Sequence, residues 1–65
     1  MINKGDKMFT IIRSVAYDEN TLLIECVGKS TGSKPTNGIA VGSMAFEMDT
    51  SKFYMFDGSA WLELE

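Results

Sequence analysis

The chain has 65 residues with nine acidic and six basic side chains, no histidine and a single cysteine. This length allows one domain. Cys26 has no partner for an internal disulfide, and a chain without histidine cannot supply the usual ligands of a structural zinc. A chain this short is only marginally stable alone, so oligomerisation or docking on a larger partner is the stabilising route that composition leaves open.

Charge is distributed unevenly along the chain. Residues 1–42 carry five bases and four acids, whereas residues 43–65 carry one base and five acids. Phosphate-backbone binding needs clustered Lys and Arg, so we expect no nucleic-acid partner. The N-terminal sequence has no apolar signal region and no apolar run approaches the length of a membrane span. We therefore expect no membrane partner, and the free cysteine favours synthesis in a reducing cytoplasm.

The first predicted element is a β-hairpin over residues 8–27. Residues 8–17 alternate and are rich in β-branched side chains, which favours a strand. Residues 18–20, "DEN", have turn chemistry, and residues 21–27 alternate again. Cys26 occupies an apolar position of this second strand, where a free cysteine is usually a small buried hydrophobe.

A loop is predicted over residues 28–38, "GKSTGSKPTNG". It contains three glycines, the only proline and no large apolar side chain. Such a tract is either a flexible surface connector or a functional loop. In the second interpretation it lies along a neighbouring subunit and orders on assembly, with Lys34 and Pro35 as contact residues.

The C-terminal part, residues 39–65, predicts a three-stranded meander. Its turns are marked by "DTSK" and by Asp57-Gly58, a dipeptide typical of hairpin turns. No stretch predicts a helix. The sequence thus predicts an all-β fold over residues 1–65, as a small antiparallel sheet or a partly open barrel, in one domain.

Catalytic chemistry is poorly supplied. Serine and cysteine nucleophiles lack a histidine as general base. Asp49 and Asp57 could form a carboxylate pair or a weak calcium site, but their places at turns are explained by capping of local backbone groups. We expect no enzymatic activity, no cofactor and no metal.

The aromatic residues point instead to a contact surface. Alternation places Tyr54 and Phe56 on one face of the meander and Phe53 and Met55 on the other, so both faces need cover. The N-terminal hairpin can cover one face, and Met44 and Phe46 are expected in the core. Either the sheet curls into a barrel, or the second face meets a partner. The predicted contact residues on that face are Tyr54, Phe56 and Trp61, because aromatic side chains are enriched at interfaces.

The string "PTNGIAVGSMAFEMDTSKFYMFDGSAWLEL", residues 35–64, resembles a segment that recurs in bacteriophage virion proteins. These are small head-associated or fibre-like proteins and tail-fibre modules. The shared pattern is a glycine before a strand, an acidic turn, an aromatic strand, an Asp-Gly turn and a tryptophan. In this chain the pattern falls at Gly42, Asp49 with Thr50, Tyr54, Asp57 with Gly58, and Trp61.

The resemblance implies a non-enzymatic structural protein of the virion, made in the cytoplasm of a bacterial host. A capsid decoration or head-fibre-base protein fits best, one that oligomerises, with a trimer favoured, and binds the major capsid protein or another virion protein to reinforce the shell. The alternatives are a component of a tail or baseplate fibre and a carbohydrate-binding adhesion module.

Overall fold

The computed structural model describes residues 8–64, which form one five-stranded sheet without a helix. The all-β prediction is confirmed, and the sheet is open rather than closed into a barrel. The predicted single domain and the end of the predicted meander extend to residues 1–7 and 65, which lie outside the described residues. The strands are β1 (Thr10–Ala16), β2 (Leu22–Gly28), β3 (Met44–Glu47), β4 (Lys52–Phe56) and β5 (Trp61–Leu64).

The strands lie in the sheet in their order along the chain, but they do not all pair in the same way. β1 and β2 form the predicted antiparallel hairpin, and β3, β4 and β5 form the predicted antiparallel meander. Between these two units, β2 and β3 are parallel. The sheet is therefore mixed. A parallel pair cannot be joined by a tight turn and needs a crossover of a dozen or more residues, which residues 29–43 provide.

The short turns form where the sequence predicts them. The Asp18 side chain accepts hydrogen bonds from the backbone N–H of Asn20 at 2.8 Å and of Thr21 at 2.9 Å. In the same way, Asp57 accepts from the backbone N–H groups of Ser59 and Ala60, each at 2.7 Å. These bonds lower the pKa of both aspartates. Local polar chemistry thus fixes the two hairpin connections.

One face of the sheet is covered by Phe9 and by the crossover, residues 29–43, which we call the covering segment. The backbone of Phe9 donates to the carbonyl of Ser33 at 2.9 Å, and Ala40 donates to the carbonyl of Leu22 at 2.9 Å. Strands β2, β3, β4 and β5 all contribute side chains to the covered face. These side chains are Ile24, Cys26, Ala45, Glu47, Tyr54, Phe56 and Trp61.

The opposite side, which we call the open face, has no second layer within residues 8–64. Cross-strand register places Leu23, Glu25 and Val27 of β2 beside their neighbours on β1 and β3. The same register continues to the far edge of the sheet. The open face consists of Thr10, Ile12, Arg13, Val15, Leu23, Glu25, Val27, Met44, Phe46, Phe53, Met55, Leu62 and Leu64.

Two sequence expectations need correction here. The N-terminal hairpin does not cover a face of the meander, because β2 pairs with β3 edge to edge and extends the same sheet. The expected core side is also wrong. Met44 and Phe46 lie half-buried on the open face, whereas Phe56 is only 2 % exposed and belongs to the core. The covering segment decides which face is buried.

Candidate functional site

A buried ion pair holds the covering segment on the sheet. The Lys34 Nζ lies 3.0 Å from Glu47 Oε2, and the Glu47 residue is only 4 % exposed. The same ammonium lies 4.0 Å from the centre of the Tyr54 ring and 4.8 Å from that of Phe9. Cations are attracted to the faces of aromatic rings at such distances. Lys34 therefore joins the covering segment, β3 and β4 within one chain.

The Glu47 carboxylate is also bonded on its other oxygen. The hydroxyl of Thr50 donates to Glu47 Oε1 at 2.7 Å. This hydrogen bond, with the hydrogen bond and the charge of Lys34, holds the pKa of Glu47 below its ordinary value in spite of burial, which acts in the opposite direction. Both oxygens are thus satisfied, so the ionised carboxylate is stabilised inside the covered face.

Three further hydrogen bonds fasten the covering segment at two places. In its middle, the Trp61 Nε1 donates to the carbonyl of Pro35 at 2.8 Å, and the Trp61 ring lies 5.0 Å from that of Phe56. Near its start, Asp49 accepts from the backbone N–H of Ser30 at 2.8 Å and from its hydroxyl at 2.7 Å. Apart from Gly28, which ends β2, the predicted loop over residues 28–38 contains no strand longer than a single bridge. It is nevertheless bonded to β5 and to the β3–β4 turn.

The five predicted contact residues all lie on the covered side. Phe56 is buried, so the prediction that it contacts a partner is wrong for the folded chain: it packs beneath the covering segment. The other four are partly buried: Tyr54, Trp61, Lys34 and Pro35. Within the chain, Lys34 contacts Tyr54 and Trp61 contacts Pro35. Contact of these four with a partner stays a prediction. Alternation correctly puts Tyr54 with Phe56, but the crossover runs over that face.

The exposed apolar surface of this protein is the open face. Ile12 is 61 % exposed, Leu62 51 % and Phe53 49 %. The rings of Phe46 and Phe53 lie 4.6 Å apart and form a ridge. Single exposed apolar residues are normal on protein surfaces, but contiguous apolar patches of a few hundred Å² usually mark binding sites. The open face therefore has the character of a protein contact surface.

Shallow grooves run between the ridges of the open face. One groove of about 250 Å³ lies between Ile12 and Phe53 and has Val27 and Met44 in its walls. A second, of about 240 Å³, lies on the Val15 side of Met44. Both volumes are large enough to accept an inserted side chain. The surface is thus corrugated, which favours interdigitation with another layer of side chains.

Charge on the open face is sparse and balanced. Among residues 8–64, the ionisable side chains on this face are Arg13 and Glu25, which face each other across β1 and β2 with 4.0 Å between Nη1 and Oε2. Both are more than half exposed. The remaining charged groups of the described residues lie on the covered side, at the sheet edges and in the turns.

The described residues offer little for catalysis. Cys26 is buried and its Sγ lies 3.6 Å from the carbonyl oxygen of Met44, and burial raises the pKa of the thiol. A buried, protonated thiol is a poor nucleophile. Residues 8–64 contain no group of three or more His, Cys, Asp or Glu side chains able to hold a metal ion. The same residues include no helix that is long and apolar enough to cross a membrane.

Sequence reasoning missed the residues of the open face as contact candidates. One sequence signal points to the crossover that leaves this face open, and it does not tell which side the crossover passes over. The loop over residues 28–38 is too long for a hairpin, which predicts a crossover rather than a turn. Ser43, directly after Gly42, is fully buried, and its Oγ accepts from the backbone N–H of Ile24 at 3.0 Å. The Ser43 hydroxyl thus takes the place of a backbone carbonyl as the acceptor for Ile24, at the point where the covering segment ends and β3 begins.

Comparison with protein-family models, with curated proteins and with solved structures finds no match to this chain. The functional inference therefore depends on two observations. One is the geometry of the open face, and the other is the pattern of glycine, Asp-Gly turn and tryptophan in residues 35–64.

Proposed function

We propose that this chain is a non-enzymatic structural protein of a bacteriophage particle that acts by assembly through the open face of its sheet. The observation that carries this proposal is the apolar open face, which spans all five strands. The resemblance of residues 35–64 supports the assignment to a virion. No catalytic residue is required for such a role.

The small size of the core supports a role in assembly. Within residues 8–64, seven apolar residues are buried, of which two are alanines and one is a cysteine: Phe9, Ile24, Cys26, Ile39, Ala40, Ala45 and Phe56. A core of this size gives a chain of 65 residues little stability on its own. A partner that binds only the folded form stabilises it by mass action. Cover for the open face would therefore stabilise the protein as well as join it to a particle.

Within a virion, a capsid decoration or head-fibre-base protein is the role we favour. Copies on a shell reinforce it through many simultaneous contacts, each of which can be weak. The covered side, where Lys34, Pro35 and Trp61 reach the surface in part, is then available for the major capsid protein or another virion protein. A position in a tail or baseplate fibre would use the same open face.

The carbohydrate-binding alternative has less support. Trp61 would be the stacking platform, but its N–H is engaged by Pro35 and its ring packs on Phe56. A sugar site also needs polar groups that converge beside the aromatic ring. For this reason we retain the structural role as the single proposal.

Quantitative mass spectrometry of purified particles tests the proposed function. Purified particles of the phage that encodes the chain are expected to contain the protein in a fixed ratio to the major capsid protein. Removal of tails before the measurement separates a head location from a tail location. Particles that lack the protein, while the infected cells contain it, would overturn the proposal.

A further inference from the structure

We propose that the occupant of the open face is a second copy of this chain, packed face to face so that two sheets form a sandwich. This pairing rests on the proposed function only in taking the open face as a contact surface. In the pair, the open faces become the shared core and the two covering segments lie on the outside. Sheets pack in this way about 10 Å apart with interdigitated side chains.

The size of the molecule suits such a pair. Its principal extents are 33, 32 and 19 Å, so it is a flat body with two broad sides. An ellipse of the two larger extents encloses roughly 800 Å², which is about the area that each partner buries in a standard-size interface. The outline of the broad side is therefore of the size that a standard protein interface needs, and ten of the thirteen side chains named on the open face are apolar.

Charge also favours a second copy on this face. The described residues carry four bases and seven acids, a net charge of −3. The open face holds one of each sign, Arg13 and Glu25, so the whole excess of acids lies elsewhere. The open faces of two copies therefore meet without net repulsion, since each carries one charge of either sign.

The open face has both ridges and hollows, which a contact between two identical faces requires. An interface between two identical surfaces needs ridges and hollows on the same face. The open face supplies both, because Ile12 and Phe53 protrude and the grooves on either side of Met44 are hollow. A dissimilar partner would not need both features from this chain.

Other occupants are less suitable. Residues 1–7, "MINKGDK", contain two apolar side chains, too few to cover five strands. The virion resemblance implies a trimer, but a face-to-face contact does not form one. Two flat faces that cover each other leave no open face for a third copy, so a face-to-face contact closes at two.

Sedimentation equilibrium of the purified chain tests the pairing. We expect a mass of twice the 7.2 kDa of one chain. Leu23→Lys and Met55→Lys each place a charge on the open face and are expected to raise the dissociation constant at least about tenfold, because a desolvated charge is costly in an interface. Leu22→Lys is the matched control: Leu22 neighbours Leu23 on β2, has similar exposure, and points to the opposite side.

Far-UV circular dichroism of all three variants checks that the sheet is retained. A folded monomer for Leu23→Lys and Met55→Lys, with a dimer for Leu22→Lys, supports the inference. A wild-type monomer at high micromolar concentration overturns it, and so does a trimer. Dissociation by Leu22→Lys without dissociation by the other two also overturns it. If Leu23→Lys and Met55→Lys both unfold, Phe53→Ser is substituted and judged by the same outcomes.

The two proposals fail separately. The pairing is measured with the isolated chain, and the proposed function is measured on particles. A dimer that is missing from particles rejects the virion role and leaves the pairing intact. A monomer that is present in particles does the reverse.

Discussion

The two faces of the sheet are built from similar apolar side chains, yet they have opposite surroundings. On β4, Phe56 of the covered face is 2 % exposed, while Phe53 of the open face is 49 % exposed. These residues share a strand and a side-chain type. The difference comes from the covering segment, which crosses one face because β2 and β3 are parallel.

The polar contacts also differ between the covered face and the open face. The covered face contains the Lys34–Glu47 pair, the Thr50 hydrogen bond and the bond from Trp61 to the Pro35 carbonyl. The open face has the exposed Arg13–Glu25 pair, which contributes little to stability because solvent screens it. The comparison indicates that one face stabilises the monomer and that the other is available for a partner.

The largest difference between the two faces is expected when the two phenylalanines of β4 are truncated. Phe56→Ala removes a buried ring and is expected to cost about 3–5 kcal/mol of unfolding free energy. Phe53→Ala loses mainly its ring contact with Phe46 and is expected to cost about 1 kcal/mol. Urea unfolding in the Leu23→Lys background, which we expect to be monomeric, measures the fold alone.

The milder pair Phe56→Leu and Phe53→Leu serves where the alanine variant is unfolded without urea. The same ranking is expected, because the leucine at position 56 still leaves a gap beneath the covering segment. Equal losses at positions 53 and 56 would contradict the assignment of covered and open faces.

A smaller effect is expected where Phe9 closes over β2. A Cβ added at Gly28 would lie 2.5 Å from Phe9 Cδ1 and 2.7 Å from Phe9 Cγ, so the ring would have to move. Gly28→Ala is therefore expected to cost about 1–3 kcal/mol through overpacking. Thermal or urea unfolding measures the loss.

Phe9→Leu tests the cause of that loss. If the clash is responsible, the double variant Gly28→Ala with Phe9→Leu loses less than the sum of the two single variants. An additive result would show that Phe9 does not lie on Gly28 in solution. No comparable coupling is expected between Phe9 and any residue of the open face.

The mildest perturbation is a change of pH, which acts on the covered face through Glu47. Its pKa in the folded chain is below the ordinary value of 4.5. The ionised form therefore stabilises the fold above the unfolded-state pKa, and this contribution is lost as pH falls through the folded pKa. Urea midpoints between about pH 6 and pH 3 should fall more steeply for the wild type than for Glu47→Gln.

Thr50→Val gives an independent check, because the Thr50 hydroxyl is the first cause of the lowered pKa of Glu47. The urea midpoint of this variant is expected to fall with decreasing pH less steeply than that of the wild type and more steeply than that of Glu47→Gln. Asp18, Asp49 and Asp57 also have lowered pKa values and contribute to the acid sensitivity of every variant. An unchanged slope in Glu47→Gln would show that these aspartates account for all of it.

Much of the fold was predictable because it depends on local chemistry. Alternation at a period of two identified the strands, and Asp18 and Asp57 marked turns that cap with their own backbone neighbours. The burial of Cys26 followed from its apolar neighbours in the same way. In each case the signal and the structure it determines lie within a few residues of each other.

The exposed apolar face could not be located by the same reasoning. Alternation correctly grouped Tyr54 with Phe56, and it left open which group would be buried. The contacts that decide this are remote along the chain: Trp61 bonds to Pro35 and Ile24 to Ser43. The sequence suggested Lys34 as a contact residue for a neighbouring subunit, and its partner within the chain, Glu47, lies thirteen positions away.

The amino-acid sequence by itself determined that this protein is a strand-built chain with two apolar sheet faces and capped turns. These properties arise from side-chain alternation and from hydrogen bonds between near neighbours. Only the tertiary structure decided that β2 and β3 are parallel, that the covering segment buries the Phe56 side, and that the Phe53 side is open. The side over which a crossover passes depends on how distant strands pair, and no local pattern of residues encodes that choice.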